Sequence, residues 1–415
     1  MGEAFWDDEG HWPGHAMPAI ASAEGCWLTT EDGRRLFDAG SGHSCVNLGY
    51  AHEELIAATA ESYRRLAYCS PDHRSRPVAA LAEALSARLG GGYRLRYAAT
   101  GGGANELAIE IARRYWRHLG KPGKRRIIAF DRAYHGSTGA ASFASGPGIL
   151  QSPLVDRSDE FIHLPGARDV VAGRSRGLAE IRAGVEAAIA SAGSATIAAV
   201  IVEPVAFAGG VVVPPAGFLA MLAELCRGHE LLLIVDEVIN GFGRSGAWFA
   251  FQHEAGVRPD IVTMGKGITS AYFPLAAAAV DERIFETFRV PGQAMSKVIT
   301  MAGHPVGCDV ALAVLGIMAR DGLVERARRN GQGVLAGLLA LRGLGGLRDV
   351  RGLGHMWGLE FDTAAAAEAV DAACLDSGIL LLRADNLIRI NPPLVAGDGE
   401  LAFLVATLER GVRGA

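Results

Sequence analysis

Residues 231–246, LLLIVDEVINGFGRSG, and residues 260–267, DIVTMGKG, decide the fold of this chain. Each is an apolar run of strand length that ends on charged residues, Asp236 and Glu237 in the first run and Lys266 in the second. Runs that are apolar throughout, rather than alternating, are typical of parallel strands buried on both faces. Open α/β sheets bind ligands at the carboxyl ends of such strands, so we expect a site there.

The rest of the chain repeats this rhythm of strands and helices. The apolar runs predict strands at 126–130, 198–204, 231–238 and 260–265, and amphipathic patterns predict helices at 103–119, 177–192 and 216–229. Such alternation predicts an α/β fold with right-handed crossovers. The first 45 or so residues read as strands and turns, and long helices with short strands follow residue 305. We therefore expect a large domain of residues 49–304, with a mainly parallel sheet flanked by helices. A smaller α+β domain is expected from both chain ends, residues 1–48 and 305–415.

Composition narrows the class of function. The chain has 415 residues, 20% of them charged, with a net charge of −5 and no block of like charges. Nucleic acid and anionic membranes are therefore not expected as partners. No run of about 18 apolar residues occurs, and the N-terminus is not patterned as a signal peptide. The six cysteines are scattered without a CxxC pair, which predicts thiols in a reducing cytosol.

Lysine is rare in this sequence. Only Lys121, Lys124, Lys266 and Lys297 occur, so 36 of the 40 basic residues are arginine. A lysine can act as an amine nucleophile and an arginine cannot. Lys121 and Lys124 lie in the polar segment GKPGKRR and are interpreted as solvated charges, whereas Lys297 is left open. Lys266 is flanked by glycines that permit close approach, and it is either a functional amine or a structural lysine.

A third feature is the stretch YAATGGGANELAIEIARRY, residues 97–115. Three glycines before an amphipathic helix are typical of a tight turn, and a phosphate seat at the helix N-terminus is the alternative that this motif by itself leaves open. A phosphate seat, a strand-end carboxylate and a strand-end amine together indicate a pyridoxal phosphate site. The amine would hold the cofactor covalently and the carboxylate would pair with its ring nitrogen. No further metal ligands stand nearby at suitable spacing, so no metal is expected.

The stretch from Val235 to Ala277 resembles the signature of the class III aminotransferases, enzymes of the fold type I pyridoxal-phosphate superfamily, and the resemblance covers about residues 20–395. It implies that Lys266 is the Schiff-base lysine and Asp236 the partner of the pyridinium nitrogen. It also implies that Val238 packs on one face of the ring and Tyr134, in DRAYHG, on the other.

The same resemblance implies the remaining cofactor contacts, which are Gly101, Gly102, His135, Glu203 and Thr300. Thr300, in ITMAGHP, would reach the phosphate of a neighbouring subunit. The resemblance thus implies a homodimer with its active sites at the subunit interface.

The sequence departs from the family pattern at the phosphate seat. Where the family has S-G-S-E-A-N-E, this chain has Thr100-Gly101-Gly102-Gly103-Ala104-Asn105-Glu106. Gly102 replaces a phosphate-binding hydroxyl, so the seat must depend more on backbone amides. We expect cofactor binding weaker by about 1 to 2 kcal/mol for one lost hydrogen bond to a charged group.

The second departure concerns the substrate. Many members have E-P-I-Q-G-E-A-G-V, in which the second glutamate masks a carboxylate-binding arginine, and here Ala208 takes its place. Arg389, in NLIRINPPL, stands at the position of that arginine, where it could bind a substrate carboxylate bidentately. The alternative is an arginine on the surface of the small domain. His43 and Ser44 replace the bulky apolar residues of amine-specific members, which favours a polar or charged substrate.

These patterns predict a cytoplasmic pyridoxal-phosphate-dependent aminotransferase. It would move an amino group between a donor, polar or carboxylate-bearing, and a keto acid or aldehyde. An aminomutase or a decarboxylase on the same fold is the alternative. A catalytically silent pyridoxal-phosphate-binding protein is a further one, disfavoured by the intact Lys266, Asp236 and Tyr134.

Overall fold

The computed structural model describes residues 18–147, 149, 159–169, 173–295 and 299–415. In these ranges the strands are β1 (Ile20–Glu24), β2 (Trp27–Thr30), β3 (Arg35–Asp38), β4 (Tyr93–Ala98), β5 (Arg126–Phe130), β6 (Phe161–Leu164), β7 (Arg168–Asp169), β8 (Arg174–Ser175), β9 (Ile197–Val202), β10 (Leu232–Asp236), β11 (Ile261–Met264), β12 (Ala276–Asp281), β13 (Leu347–Gly352), β14 (Trp357–Phe361), β15 (Ile379–Leu380), β16 (Leu382–Ala384) and β17 (Leu387–Ile390).

The helices of the same ranges follow. They are α1 (Ser41–Ser44), α2 (Glu53–Leu66), α3 (Arg76–Arg88), α4 (Gly101–His118), α5 (Gly139–Ala144), α6 (Leu178–Ala192), α7 (Phe218–Gly228), α8 (Glu282–Phe288), α9 (Pro305–Arg320), α10 (Leu323–Leu339), α11 (Ala364–Asp376) and α12 (Asp398–Gly414). Short 3₁₀ turns lie at Ser194–Thr196, Ala250–His253 and Lys266–Ile268. None of the helices described is both long and apolar enough to cross a membrane.

A seven-stranded sheet forms the centre of the molecule, in the order β4-β12-β11-β10-β9-β5-β6. β10 pairs in parallel with both β9 and β11, and all of its residues are buried. Leu233 and Val235 belong to the apolar cluster on one face of the sheet, and Leu232 and Ile234 to the cluster on the other. Both faces are thus covered, which confirms the α/β prediction made from the uniformly apolar runs.

The predicted helices and strands of the large domain are present, with boundaries shifted by a few residues. β12 was not predicted, because its sequence AAAAVD is mostly alanine, which is depleted in strands. It runs antiparallel to both β11 and β4, and so makes the sheet mixed. Helix α4 begins at Gly101, two residues before the predicted start, since Thr100 caps it by accepting the Gly103 N–H at 3.0 Å.

Strands from the two chain ends share a sheet. β15 pairs in parallel with β3, Ile379 opposite Phe37, and β1, β2 and β3 complete that sheet. A second sheet, β13-β14-β17-β16, packs with the C-terminal helices around the buried Trp357. This arrangement agrees with a smaller unit built from both ends. The domain boundaries themselves stay predictions, and residues 1–17 of the first segment lie outside the described residues.

A buried ion cluster connects β7 to the C-terminal sheet. Glu360 of β14 is fully buried and accepts from Arg168 Nε and Arg351 Nη1, each at 2.8 Å. Arg348 donates to the same carboxylate. Because several donors surround this carboxylate, their hydrogen bonds offset the free-energy cost of removing it from water.

Lys124 departs from the expectation of a solvated charge. Its residue is only 3% exposed, and its Nζ donates to the carbonyl oxygens of Ser194 at 2.8 Å, Glu230 at 2.6 Å and Ile197 at 3.2 Å. Burial lowers the pKa of this amine to about 8. The prediction was wrong because the segment GKPGKRR shows polarity but does not show that three carbonyls converge beside it. Lys121, by contrast, pairs with Glu230 at the exposed surface.

Replacing the two lysines separates these roles. Lys124→Met keeps the packing volume but leaves three buried carbonyls without their donor, so the free energy of unfolding should fall by about 2 to 3 kcal/mol. The matched change Lys121→Met removes an exposed pair and should alter it by less than about 1 kcal/mol. Urea denaturation measures both. Equal effects of the two changes would contradict this role for Lys124.

Candidate active site

The strand-end residues of β10 and β11 meet at one cavity. Asp236 is the last residue of β10 and lies opposite Thr263 of β11, and Lys266 follows β11 directly. Both side chains line a cavity of about 620 Å³. The common sheet edge expected from the sequence therefore brings the carboxylate and the amine to the same space.

Three donors hold the buried carboxylate of Asp236, which is 3% exposed. Its Oδ2 accepts from Asn105 Nδ2 at 2.7 Å and from His135 Nδ1 at 2.8 Å, and its Oδ1 accepts from the Val238 N–H at 3.0 Å. Since an ionised carboxylate only accepts, the tautomer assigned to His135 carries its proton on Nδ1. The arrangement fixes the direction in which the carboxylate faces the cavity.

Asn105 and Thr263 belong to the polar network around Asp236 and were not predicted from the sequence. Thr263 Oγ1 donates to Asn105 Oδ1 at 2.7 Å, and Asn105 Nδ2 also donates to the His135 carbonyl at 2.7 Å. The available signal was Asn105 itself, a polar residue that α4 buries among alanine, leucine and isoleucine. A buried amide requires partners, so it marks a polar network.

Glu237 has a separate, structural role. It is fully buried on the other side of the chain from Asp236, and it accepts the backbone N–H groups of Ala250 at 2.9 Å and Phe251 at 2.8 Å. Burial raises its pKa to about 8. Of the two neighbouring acids, Asp236 is therefore the one that faces the cavity, and Glu237 caps the turn Ala250–His253.

Lys266 differs from the buried Lys124 in its hydrogen bonds. Within the described ranges its Nζ makes no hydrogen bond, and burial lowers the pKa of the amine while Asp236 and Glu203 oppose that shift. Its backbone is also strained, with a φ of 45°. A lysine kept for the fold would have partners, so the geometry favours the functional amine.

The glycines on either side of Lys266 are required by close neighbours. A Cβ at Gly267 would lie 2.4 Å from Asn47 Nδ2, and one at Gly265 would lie 3.3 Å from Val238 Cγ1. The close approach inferred from the sequence is therefore real. It packs the lysine turn between Asn47 on one side and Val238 on the other.

The N-terminus of α4 opens onto the cavity through Thr100, Gly101 and Gly102. The first amides of a helix have no partner inside it, so the Gly101 and Gly102 N–H groups are available to an anion. A Cβ at Gly101 would lie 2.6 Å from Val238 Cγ1, whereas one at Gly102 would lie 3.4 Å from the Gly136 Cα. Gly101 is thus required sterically, and Gly102 is not.

Tyr134 and Glu203 meet at the cavity wall. The Tyr134 N–H donates to Glu203 Oε1 at 2.8 Å, and the Phe207 N–H donates to Oε2 at 3.3 Å. Burial raises the pKa of Glu203 to about 7. Tyr134 and Val238 both line the cavity, and their packing on the two faces of a ring stays a prediction.

Arg389 also lines the cavity, together with His43, Ser44 and Ala208. Its guanidinium carbon lies 5.9 Å from the ring centre of Phe207, and its Nε is buried without a hydrogen-bond partner in the described residues. Burial lowers the pKa of this guanidinium. The alternative of a surface arginine is therefore wrong. Burial, Lys266 and Arg389 lower the pKa of His43.

Thr300 is the predicted site residue that this chain does not bring to the cavity. Its carbonyl accepts from the Tyr68 hydroxyl at 3.1 Å, and it is not among the residues that line the cavity. The role implied for it, in a neighbouring subunit, stays a prediction. Lys297 lies outside the described residues.

A covered, mainly parallel sheet with an amine, a carboxylate and a helix N-terminus at its carboxyl edge places this chain in the fold type I class of transferases. The family model described as "Aminotransferase class-III" matches residues 11–412, and this chain belongs to that family. It is an aminotransferase.

Among relatives, an aminotransferase of Bacillus subtilis, YhxA, is 38% identical over 413 residues, covering 93% of this chain and 90% of its own length. An acetylornithine aminotransferase of Methanothermobacter thermautotrophicus is 34% identical, covering 94% of this chain and 92% of its own. A solved amine transaminase from an uncultivated Pseudomonas species, bound to pyridoxal phosphate, superposes with a TM-score of 0.91 at 30% identity, covering 99% of each chain.

The family implies pyridoxal phosphate, and the residues present fit it. Counting the described residues alone, the cavity offers an amine without a hydrogen-bond partner at Lys266, an oriented carboxylate at Asp236 and the helix amides of Gly101 and Gly102. The described residues contain no group of three His, Cys, Asp or Glu side chains placed to hold a metal ion.

Restoring the missing hydroxyl tests the phosphate seat. Gly102→Ser places its Cβ at ordinary contact distance from Gly136, so pyridoxal phosphate should bind about tenfold more tightly, or about 1.4 kcal/mol. Gly101→Ser is the matched control and should weaken binding, because its Cβ meets Val238. Fluorescence titration of the apoprotein measures both dissociation constants. Weaker binding by a stable Gly102→Ser protein would show that the phosphate lies elsewhere.

Proposed function

We propose that this aminotransferase accepts amino donors that carry a carboxylate, which Arg389 binds. The observation that carries the proposal is the Arg389 guanidinium in the cavity, with a buried Nε that has no partner in the described residues. Ala208 stands where a glutamate would mask it. A guanidinium fork matches a carboxylate bidentately, and a desolvated site strengthens the pair. The acetylornithine aminotransferase among the relatives is consistent with such a substrate.

The other side chains of the cavity serve the cofactor. Pyridoxal phosphate, when bound, supplies a cationic ring that withdraws the electrons of a breaking bond at the substrate's α-carbon. Asp236 would hold the proton on the ring nitrogen, and the donors from Asn105 and His135 keep its carboxylate oriented. Tyr134 and Val238 would pack on the two ring faces, and the amides of Gly101 and Gly102 would bind the phosphate.

Lys266 would hold the cofactor covalently and then move the proton. Its amine has a pKa lowered by burial, so a neutral Nζ is more accessible near neutral pH. With a donor bound, the Lys266 Nζ would accept the proton from the donor's α-carbon as general base and would then donate it, as general acid, to the cofactor. The Glu203 carboxylate holds the backbone of Tyr134 in place by accepting the Tyr134 N–H at 2.8 Å.

The proposal includes a homodimer. Thr300 lies outside the cavity of its own chain, and its carbonyl accepts from the Tyr68 hydroxyl. The exposed apolar side chains around it, called the patch here, are Tyr63 and Tyr68, whose rings both lie beside His304, and Met301, the next residue; they are 43% to 53% exposed. Exposed apolar clusters of this kind mark interaction surfaces, and a second copy of the chain fits the family pattern. All six cysteines are free thiols, which supports a reducing compartment.

Replacing the lysine tests the covalent role. Lys266→Ala should lose transamination completely, because no other described lysine reaches the cavity. Borohydride treatment of the loaded wild-type protein should attach one pyridoxal phosphate, found by mass spectrometry on the peptide that contains Lys266. The control Lys121→Ala should keep transamination and should still attach pyridoxal phosphate at Lys266. A cofactor attached to another lysine would refute the assignment.

Removing the guanidinium tests the substrate class. Arg389→Met should raise KM about 100-fold for N-acetylornithine, 4-aminobutanoate and L-alanine, through the loss of charged hydrogen bonds of about 2 to 3 kcal/mol. The donor 1-phenylethylamine has no carboxylate and should be unaffected. Arg383, on the neighbouring strand and bonded to Asp371, provides the matched control Arg383→Met. Equal losses with all donors would contradict carboxylate binding.

The dimer is tested by mass in solution. Sedimentation equilibrium of the wild-type protein should give about twice the chain mass of 43.5 kDa or a multiple of that dimer. Tyr63→Lys introduces a charge on the patch and should shift the equilibrium towards monomer. A wild-type monomer at micromolar concentration would contradict the proposal.

A further inference from the structure

Arg244, in the segment GFGRSG, is fully buried and binds three separate parts of the chain. Its Nη1 donates to the carbonyl oxygens of Asn391, at 3.0 Å, and Pro392. Its Nη2 donates to Asn47 Oδ1 at 2.5 Å and to Ser41 Oγ at 3.4 Å. Ser41 Oγ in turn donates to the Asn391 carbonyl at 2.6 Å, which closes the arrangement.

The segment that Arg244 holds on one side has an unusual backbone. Helix α1, Ser41–Ser44, is a single left-handed turn in which φ is 48°, 52°, 62° and 68° along the chain. Residues other than glycine rarely adopt this conformation, so neighbours must maintain it. Asp38 does so from one end, accepting the Gly40 N–H at 2.9 Å and the Gly42 N–H at 2.7 Å.

Each segment that Arg244 joins carries part of the substrate side of the cavity. His43 and Ser44 belong to the left-handed turn and line the cavity, and Asn391 and Pro392 directly follow the strand of Arg389. Asn47 packs against Gly267, the residue after the lysine. The guanidinium therefore connects the turn to the chain after Arg389 and, through Asn47, to the lysine turn.

A contribution to the stability of the fold does not explain why residue 244 is a charged arginine. Among the described residues no carboxylate lies within ion-pair distance of it, and its Nε has no partner. Burial lowers its pKa to about 9. An isolated buried cation generally destabilises a fold relative to an apolar residue of similar volume. Its planar fork, however, can bind four oxygens in a fixed geometry, which lysine cannot do.

We propose that Arg244 is a positioning residue for substrate recognition, which sets the separation between the turn Ser41–Ser44 and the strand of Arg389. The inference rests on the proposed binding of the donor carboxylate at Arg389. Arg244 does not touch the substrate itself. It acts through Ser41 and Asn47 on one side and through the chain after Arg389 on the other.

The test compares Arg244→Lys and Ser41→Ala with wild type, using holoenzyme throughout. Arg168→Lys is the matched control, because Arg168 is also buried but lies in the Glu360 cluster. Steady-state kinetics with N-acetylornithine, 4-aminobutanoate, L-alanine and 1-phenylethylamine give KM and kcat. Amide hydrogen exchange of residues 41–47 reports the turn without any substrate, and thermal unfolding reports overall stability.

For Arg244→Lys we expect KM for the accepted carboxylate donors to rise about tenfold, with kcat within about threefold of wild type. Exchange in residues 41–47 should accelerate. Ser41→Ala should raise KM for these donors and the exchange rate in residues 41–47 by about threefold each. This variant provides the test if Arg244→Lys does not fold. Arg168→Lys should lower the unfolding temperature without changing KM or exchange in the turn.

Unchanged KM and exchange in a folded variant would overturn the positioning role, as would a fall in kcat with KM unchanged. The substrate-free measurement separates this outcome from a failure of the proposed function. If Arg389→Met leaves KM unchanged, carboxylate binding at Arg389 is wrong and the inference that rests on it falls. Accelerated exchange in Arg244→Lys would then report only a structural role for Arg244.

Discussion

The rest of the structure depends on one buried carboxylate, that of Asp236. A carboxylate at the end of a covered strand is unfavourable unless donors surround it, and here they come from three different parts of the chain. Asn105 provides one from helix α4, His135 one from the loop after β5, and the Val238 amide one from the same turn. Satisfying Asp236 therefore brings together helix α4, the loop that carries Tyr134 and the turn after β10.

The two buried lysines show how partners distinguish structure from function. Lys124 donates to three carbonyl oxygens and serves the fold, whereas Lys266 has no hydrogen-bond partner in the described residues. Its amine is buried and its backbone is held at a φ of 45°, which suits a residue kept for the site rather than for the fold. The tight packing of Gly265 and Gly267 against Val238 and Asn47 keeps the amine directed at the cavity.

Much of this was predictable because the large domain is built from local patterns. Uniformly apolar runs predicted the parallel strands, and the positions of Asp236 and Lys266 at strand ends predicted a shared site. The alanine-rich strand β12 was missed because its propensity is weak, and the burial of Lys124 because the carbonyl oxygens around it come from distant segments. Thr263 and Asn105 were missed because the role of a buried polar side chain depends on its hydrogen-bond partners, and theirs lie far away in the sequence.

The sequence by itself determined the fold class, the strand-end chemistry and, through its resemblance to a family, the type of reaction. Those features depend on hydrophobic periodicity and on residues a few positions apart, which a linear pattern contains. Only the tertiary structure decided that Asp236 rather than Glu237 faces the cavity, that Arg389 lies inside it and that Arg244 joins three segments around it. These contacts connect residues more than a hundred positions apart, and packing of the whole chain alone sets their distances.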